Sequence, residues 1–386
     1  MSASLDFREN PDRAIFLTGF IGQELVNSLT PQILKLRHAG TDPITVFIDS
    51  PGGHPALGTS ILRLLEARDA DGHSPSIVTV VTGEASSAAA DFLAAGAYAI
   101  AYPHAKIHFH GSRHGLSKDL TMEAAALTAK VLREYNEIQA IDLAENVVAR
   151  CIFIYVYLRD QFDKIRERYG SPGMTEIECF SRSLYAKLSS QADSLPGTTR
   201  ERYNQIQALS NSVFARVTML EKASLAASER KILRAIIDYE YKRGIKQPFW
   251  SFTEDNLDRI VEDFRLIKDF VTGSHNDSLD PLSKTFGKFF LSKADKEYYK
   301  TNTFKDDDER HEWLRAKVQP HIRPLWYFIV SLCRLLQEKE NPLTARDAYW
   351  LGIVNEVMGS TLPCIRQVVE NQPSTDSHSA SEPASE

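Results

Sequence analysis

The first 110 residues alternate between short β-branched runs and amphipathic stretches, and this rhythm constrains the fold more than any other feature of the chain. "AIFLTG" (14–19) reads as a strand, and apolar residues three and four apart over 24–40 predict a helix ending at Gly40. "ITVFI" (44–48) predicts a second strand, 57–70 a second helix and "SIVTVV" (76–81) a third strand. "SSAAADFLAAG" (86–96) is alanine-rich and closed by glycine, as a packed helix should be. "YAIAY" (98–102) and "AKIHFH" (105–110) read as short strands. Such alternation favours a mainly parallel sheet with helical crossovers. Ligands of these sheets sit beyond the carboxyl ends of the strands.

Two of those ends carry unusual residues. The second strand runs into Asp49-Ser50-Pro51-Gly52-Gly53, read here as a tight turn. The third runs into Gly83-Glu84-Ala85-Ser86-Ser87-Ala88 and then the alanine-rich helix. A serine there has a helix N-terminus beneath it, whose free N–H groups can stabilise an oxyanion. The arrangement resembles a nucleophile elbow, although the GxSxG string is absent. The competing reading, favoured by the local pattern alone, is that Ser86 or Ser87 only caps the helix. The glycine pair shifts the balance. Gly53 could bring its N–H beside the serine and, with the N–H of Ala88, make a two-donor oxyanion hole; a plain turn is the alternative.

A serine hydroxyl needs a base, and the base needs a carboxylate to hold its tautomer. His108 and His110 share one face of their strand, because the side-chain period is two. His110 lies at the strand end, where the base belongs, and His114 reads as exposed. A His-x-His pair also suits a metal, but spacing places no third ligand. The candidate acids are Glu84, Asp91, Glu340 and Asp347.

The rest of the 386-residue chain is less specific. A hydrophobic content of 43% supports one large domain or two smaller ones. A net charge of -6 argues against a nucleic-acid surface. Cys151, Cys179, Cys333 and Cys364 lie far apart with no CxxC or HExxH, as in a reduced intracellular protein. The N-terminus has no apolar run, so no signal peptide is expected. "CIFIYVYL" (151–158) is too short to span a bilayer and reads as a buried helix segment, a strand or an interface. Residues 121–150 lack Gly and Pro and predict a helix of about 45 Å, suited to packing against another subunit. From 159 to 335 the rhythm is lost. Helices such as 201–239 are expected there, with breaks near 170–173, 192–198 and 272–282 and a solvated helix start at "KDDDER" (305–310). The polar tail 371–386 is expected to be disordered.

Several strings, in order, resemble the Clp protease proteolytic subunit family, the serine peptidases of the crotonase-like fold. They are "DRAIFLTGFIGQELVNSL" (12–29), "ITVFIDSPGG" (44–53), "VVTGEASSAAADFLAAG" (80–96), "YPHAKIHFHGSRHG" (102–115) and "PLTARDAYWLGIVNEV" (342–357). The resemblance covers 12–150 and 338–358. It implies an α/β fold with a repeated β-β-α superhelical core, and 121–150 as the handle helix through which two rings interlock. The implied organisation is a core with handle helix over 1–150, a mainly helical insertion over 151–337, and a return to the core over 338–370. The resemblance implies Ser87 as nucleophile, His110 as base, and the N–H groups of Gly53 and Ala88 as oxyanion donors. The family's aspartate lies four residues before the position of Thr344, which is Glu340 here. Ser86 replaces the usual alanine, and Ala88 stands where methionine is common.

The expectation is a cytoplasmic serine endopeptidase that cleaves peptides or unfolded proteins through an acyl-enzyme. No cofactor, metal, nucleic acid or membrane partner is expected. The resemblance further implies a homo-oligomer fed by an AAA+ unfoldase. The alternatives are a non-catalytic scaffold or regulatory homologue, and an acyl-CoA-processing enzyme on the crotonase-like fold.

Overall fold

The structure, a computed structural model, describes residues 9–69, 72–113, 121–168, 176–189, 287–340 and 342–365. The expected helix 201–239, the breaks near 170–173, 192–198 and 272–282, the tail 371–386 and His114 lie outside the described residues.

The alternating rhythm builds a parallel sheet. Strand β1 (Ala14–Ile21) leads into helix α1 (Gln23–His38), β2 (Ile44–Gly53) into α2 (Pro55–Glu66), and β3 (Ile77–Ser86) into α3 (Ala88–Ala95). Then come β4 (Tyr98–Ala101) and β5 (Lys106–His108). The main path is β1-β2-β3-β4-β7, with β7 (Glu356–Val357) contributed from near the end of the chain. Ile44, Val46 and Ile48 on β2, and Val78, Val80 and Val81 on β3, are all fully buried. Strands covered on both faces need such near-continuous apolar runs, which is why strict alternation is missing from the sequence.

Strand β3 forks. Its first half, Val78–Val81, pairs with β4, and its second half, Glu84–Ser86, pairs with β5. On its other edge β5 pairs antiparallel with β6 (Leu343–Thr344), which enters helix α9 (Ala345–Trp350). Thr344 and Asp347 form a reciprocal capping box at that helix start.

One sequence expectation changes here. Residues 49–53 are no tight turn. Strand β2 continues through them, pairing Phe20 with Gly52 and Ile21 with Gly53 after a register shift. The side chains of the string stitch it to both neighbours. The Ser50 hydroxyl donates to the Gly19 carbonyl at 2.6 Å, and the Asp49 carboxylate accepts the Glu84 N–H at 3.0 Å. Parallel pairing here overrides the turn chemistry that Pro and Gly announce.

Helix α4 (Met122–Arg159) has 38 residues and runs past the boundary expected at residue 150. At 1.5 Å per residue it is about 57 Å long. "CIFIYVYL" forms its last two turns, with Cys151, Ile152, Ile154, Tyr155 and Leu158 buried. They pack against α6 (Glu176–Ser189) and the 33-residue α8 (Asp307–Lys339), which follow α5 (Phe162–Arg168) and α7 (Lys293–Thr301) respectively. Tyr155 meets Phe162, Phe180 and Phe290 at ring separations of 5.3–5.6 Å. Within that apolar contact, Glu176 accepts from the Tyr155 hydroxyl, Arg159 and His321. The His321 hydrogen bond is the main cause that holds its carboxyl down to about 2.

Buried Arg150 locks this helix to the sheet. It donates to the carbonyls of Ala94, Gly96, Asn146 and Gly352 and to the side-chain oxygen of Asn355. Burial lowers its pKa only to about 10, so the guanidinium stays charged at neutral pH. Among the described residues no helix is long and apolar enough to cross a membrane.

Candidate active site

The ends of β2 and β3 meet. An ideal Cβ built on Gly52 would lie 2.5 Å from the Ser86 carbonyl oxygen, 2.6 Å from the Ser87 Cβ and 3.3 Å from the Ala88 nitrogen. Gly52 also has φ +93, a backbone that side-chain-bearing residues rarely adopt. Two independent constraints therefore require glycine at this position. Gly53 packs against the backbone of Ile21, and His54 N–H donates to the Ile21 carbonyl at 2.9 Å.

Ser87 stands at the N-cap of α3 with φ 55 and ψ -131, and makes no side-chain cap hydrogen bond. Its conformation is one of two positive-φ cases at non-glycine residues among the described residues, the other being Glu340. Holding a residue there costs about 1–3 kcal/mol, which simple capping would not require. The adjacent Ser86 is buried, and its hydroxyl donates to the Glu84 carboxylate at 2.6 Å. The two serines are thus distinguished by their partners, a difference that no sequence spacing encodes.

The histidine segment lies alongside. Ser87 N–H donates to the His108 carbonyl at 2.7 Å, and Ser86 is in register with His108. His110 is two residues further on, and the rings of His108 and His110 are 5.8 Å apart. His110 Nδ1 contacts the Gly111 carbonyl oxygen at 2.7 Å. A carbonyl can only accept, so this contact places the proton on Nδ1 and leaves Nε2 with a free lone pair.

The candidate acids go to different places. Glu340 ends α8 in a left-handed conformation. Its carboxylate pairs with Arg113 at 2.5 Å, and its backbone carbonyl accepts from His108 Nε2 at 2.8 Å. Glu84 holds Ser86, and Asp347 belongs to the capping box of α9. Asp91 turns into a cleft of about 250 Å³ between α2, α3 and α4, where Asp142 also lies. Desolvation, then the charge of Asp142, pushes the Asp91 pKa up to about 7. Sequence reasoning had no signal for Arg113 or Asp142, whose roles depend on contacts across the fold. Gly52 was visible, but only as the neighbour of Gly53. No group of three or more His, Cys, Asp or Glu among the described residues could hold a metal ion.

The Clp protease family model matches residues 7–142. The ATP-dependent Clp protease proteolytic subunit 1 of Shouchella clausii (strain KSM-K16) is 36% identical over 133 residues, 33% of this chain and 64% of that protein. Subunit 3 of Rhizobium meliloti (strain 1021) is 31% identical over 117 residues, 29% of this chain and 57% of that protein. Subunit 2 of Nocardia farcinica (strain IFM 10152) is 33% identical over 144 residues, 35% of this chain and 67% of that protein. The chain therefore spans between half and about two thirds of the length of these relatives. The matched part contains β1 to β5 and the first half of α4.

Proposed function

The chain belongs to the Clp protease family, and from that premise we propose that it is a serine peptidase with Ser87 as nucleophile. The observation that carries the reading is the strained, uncapped Ser87 against which Gly52 is packed without room for a side chain. A substrate carbonyl at this point would face the N–H of Ala88 from the helix start. His54 N–H points to β1, so alternation along β2 turns the N–H of Gly53 towards β3 and supplies the second donor.

His110 acts as general base through Nε2. It takes the Ser87 proton as the hydroxyl oxygen attacks the peptide carbonyl, and returns a proton to the leaving amine. Water then attacks the acyl-enzyme, with the same imidazole as base. The Gly111 carbonyl supports the tautomer that this step needs. Glu340 is the nearest equivalent of the family acid, and engaging His110 requires it to leave Arg113. Neutral backbone oxygen stabilises an imidazolium less than a carboxylate does, so the step is slow until that exchange occurs.

The relatives' names describe ATP-dependent proteolytic subunits. By analogy the chain works as a homo-oligomer supplied by an ATP-driven unfoldase with peptide or unfolded protein. Met122, Leu127, Val131 and Ile138 on the first half of α4 are exposed and apolar, and would face a second copy. One observation favours a second reading, a non-catalytic regulatory homologue: the Glu340 carboxylate sits on Arg113.

A fluorophosphonate probe separates the two. Ser87 in the full chain should label, and Ser87→Ala should abolish labelling and lower hydrolysis of a fluorogenic peptide by at least ~10³-fold. Unlabelled Ser87 in folded protein would favour the regulatory reading.

A further inference from the structure

The cleft that Asp91 lines also takes in Ala88 and Pro55, the first helical residues after the ends of β3 and β2. It therefore opens next to the proposed oxyanion donors. Its lining combines apolar Leu62, Phe92 and Leu143 with the carboxylates of half-buried Asp91 and exposed Asp142. Asp91 lies three residues into α3 from Ala88, about 4.5 Å along the helix axis. Arg63 and Glu66 also line the cleft, and they pair with each other at 3.1 Å. Asp91 has no hydrogen bond or ion pair to its carboxylate among the described residues, and it is half-buried.

We propose that this cleft is the specificity pocket of the peptidase and receives a lysine or arginine side chain of the substrate, with Asp91 and Asp142 as the carboxylates that meet its charge. The inference rests on the peptidase reading of Ser87. About 250 Å³ suits one long side chain rather than a larger ligand. Lysine and arginine carry an apolar stem and a cationic head, which match the apolar side chains and the carboxylates of the lining. An incoming cation answers two closely placed carboxylates that repel each other when empty. It also favours their ionised forms, so binding near neutral pH releases a proton from Asp91. A metal ion is the poorer fit, because no third ligand of suitable type joins them among the described residues.

The test uses the full chain and peptides that differ only at the residue on the acyl side of the scissile bond: Lys, Arg, Leu or Glu. The expected kcat/KM for Lys and Arg exceeds that for Leu by about tenfold or more, and that for Glu is lowest. Asp91→Asn and Asp142→Asn should each reduce the Lys-to-Leu ratio by about tenfold. A ratio near one in the native chain, or one unchanged in both variants, overturns the proposal.

A second arm does not depend on turnover. Agmatine should bind the Ser87→Ala chain in calorimetry, at least tenfold more weakly once Asp91→Asn is added. Its observed binding enthalpy should vary linearly with buffer ionisation enthalpy, as release of a proton requires. Absence of agmatine binding overturns the proposal even if peptides are cleaved. Binding without peptide cleavage or probe labelling overturns the peptidase reading and leaves the cation-binding cleft standing.

Discussion

The two sides of the candidate site are built differently. The nucleophile side consists of backbone: the end of β2, the strained Ser87 and the first N–H of α3, fixed by strand register and by a glycine with no space around it. The histidine side consists of side chains that have chosen other partners. His110 holds its own neighbour's carbonyl, and Glu340 holds Arg113. Backbone geometry set by a buried sheet is complete within one chain. Side chains at an exposed edge take whichever partner is nearest, and an ion pair with 64% and 42% of its side chains exposed is readily exchanged.

The strongest way to break this comparison is Gly52→Ala. If the nucleophile side is fixed as rigidly as its contacts indicate, the added methyl group has to displace the Ser86 carbonyl or Ser87 itself. Probe labelling of Ser87 should fall by at least ~100-fold, and stability by roughly 2–4 kcal/mol in chemical denaturation, from overpacking and a positive φ. Native-like labelling would show that this side is as adaptable as the other.

A smaller effect sharpens the histidine side. Arg113→Ala frees the Glu340 carboxylate. An exposed pair is worth about 0.2–1 kcal/mol, so peptide kcat/KM should rise by no more than about fivefold. A fall would mean that Arg113 supports the site rather than diverting its acid.

The third effect concerns pH and is read in stability rather than in rate. Asp91 has its pKa raised from 3.8 to about 7 in the folded chain. A raised carboxyl contributes stability that is complete below the unfolded value and lost as pH climbs through the folded one. Asp142, Glu66 and Glu145 add negative charge around the cleft, and Arg63 offsets part of it. Asp91→Asn should therefore leave the melting temperature unchanged near pH 4 and raise it at pH 8, by roughly 1–3 kcal/mol in equivalent stability. A pH-independent difference would show that folding does not raise the Asp91 pKa.

The same contrast explains what was legible in the sequence. The β/α order, the glycine pair and the serine turn are local patterns, and they gave the sheet and the meeting of β2 with β3. The choice between Ser86 and Ser87 depends on the sign of one φ angle and on Glu84, which no spacing encodes. The extension of α4 to Arg159 was hidden because an apolar run of the length of "CIFIYVYL" suits strand and helix alike. The partner of Glu340 lies 227 positions away, beyond any local pattern.

The position of Glu340 at the very end of α8 has a mechanical consequence. That helix is a rod of about 50 Å whose far end begins at Asp307, beyond the stretch that the family model matches. A tilt of the rod by a few degrees, pivoting on its contact with α4, shifts its tip by ångströms. Whatever grips the far end of α8 therefore steers residue 340.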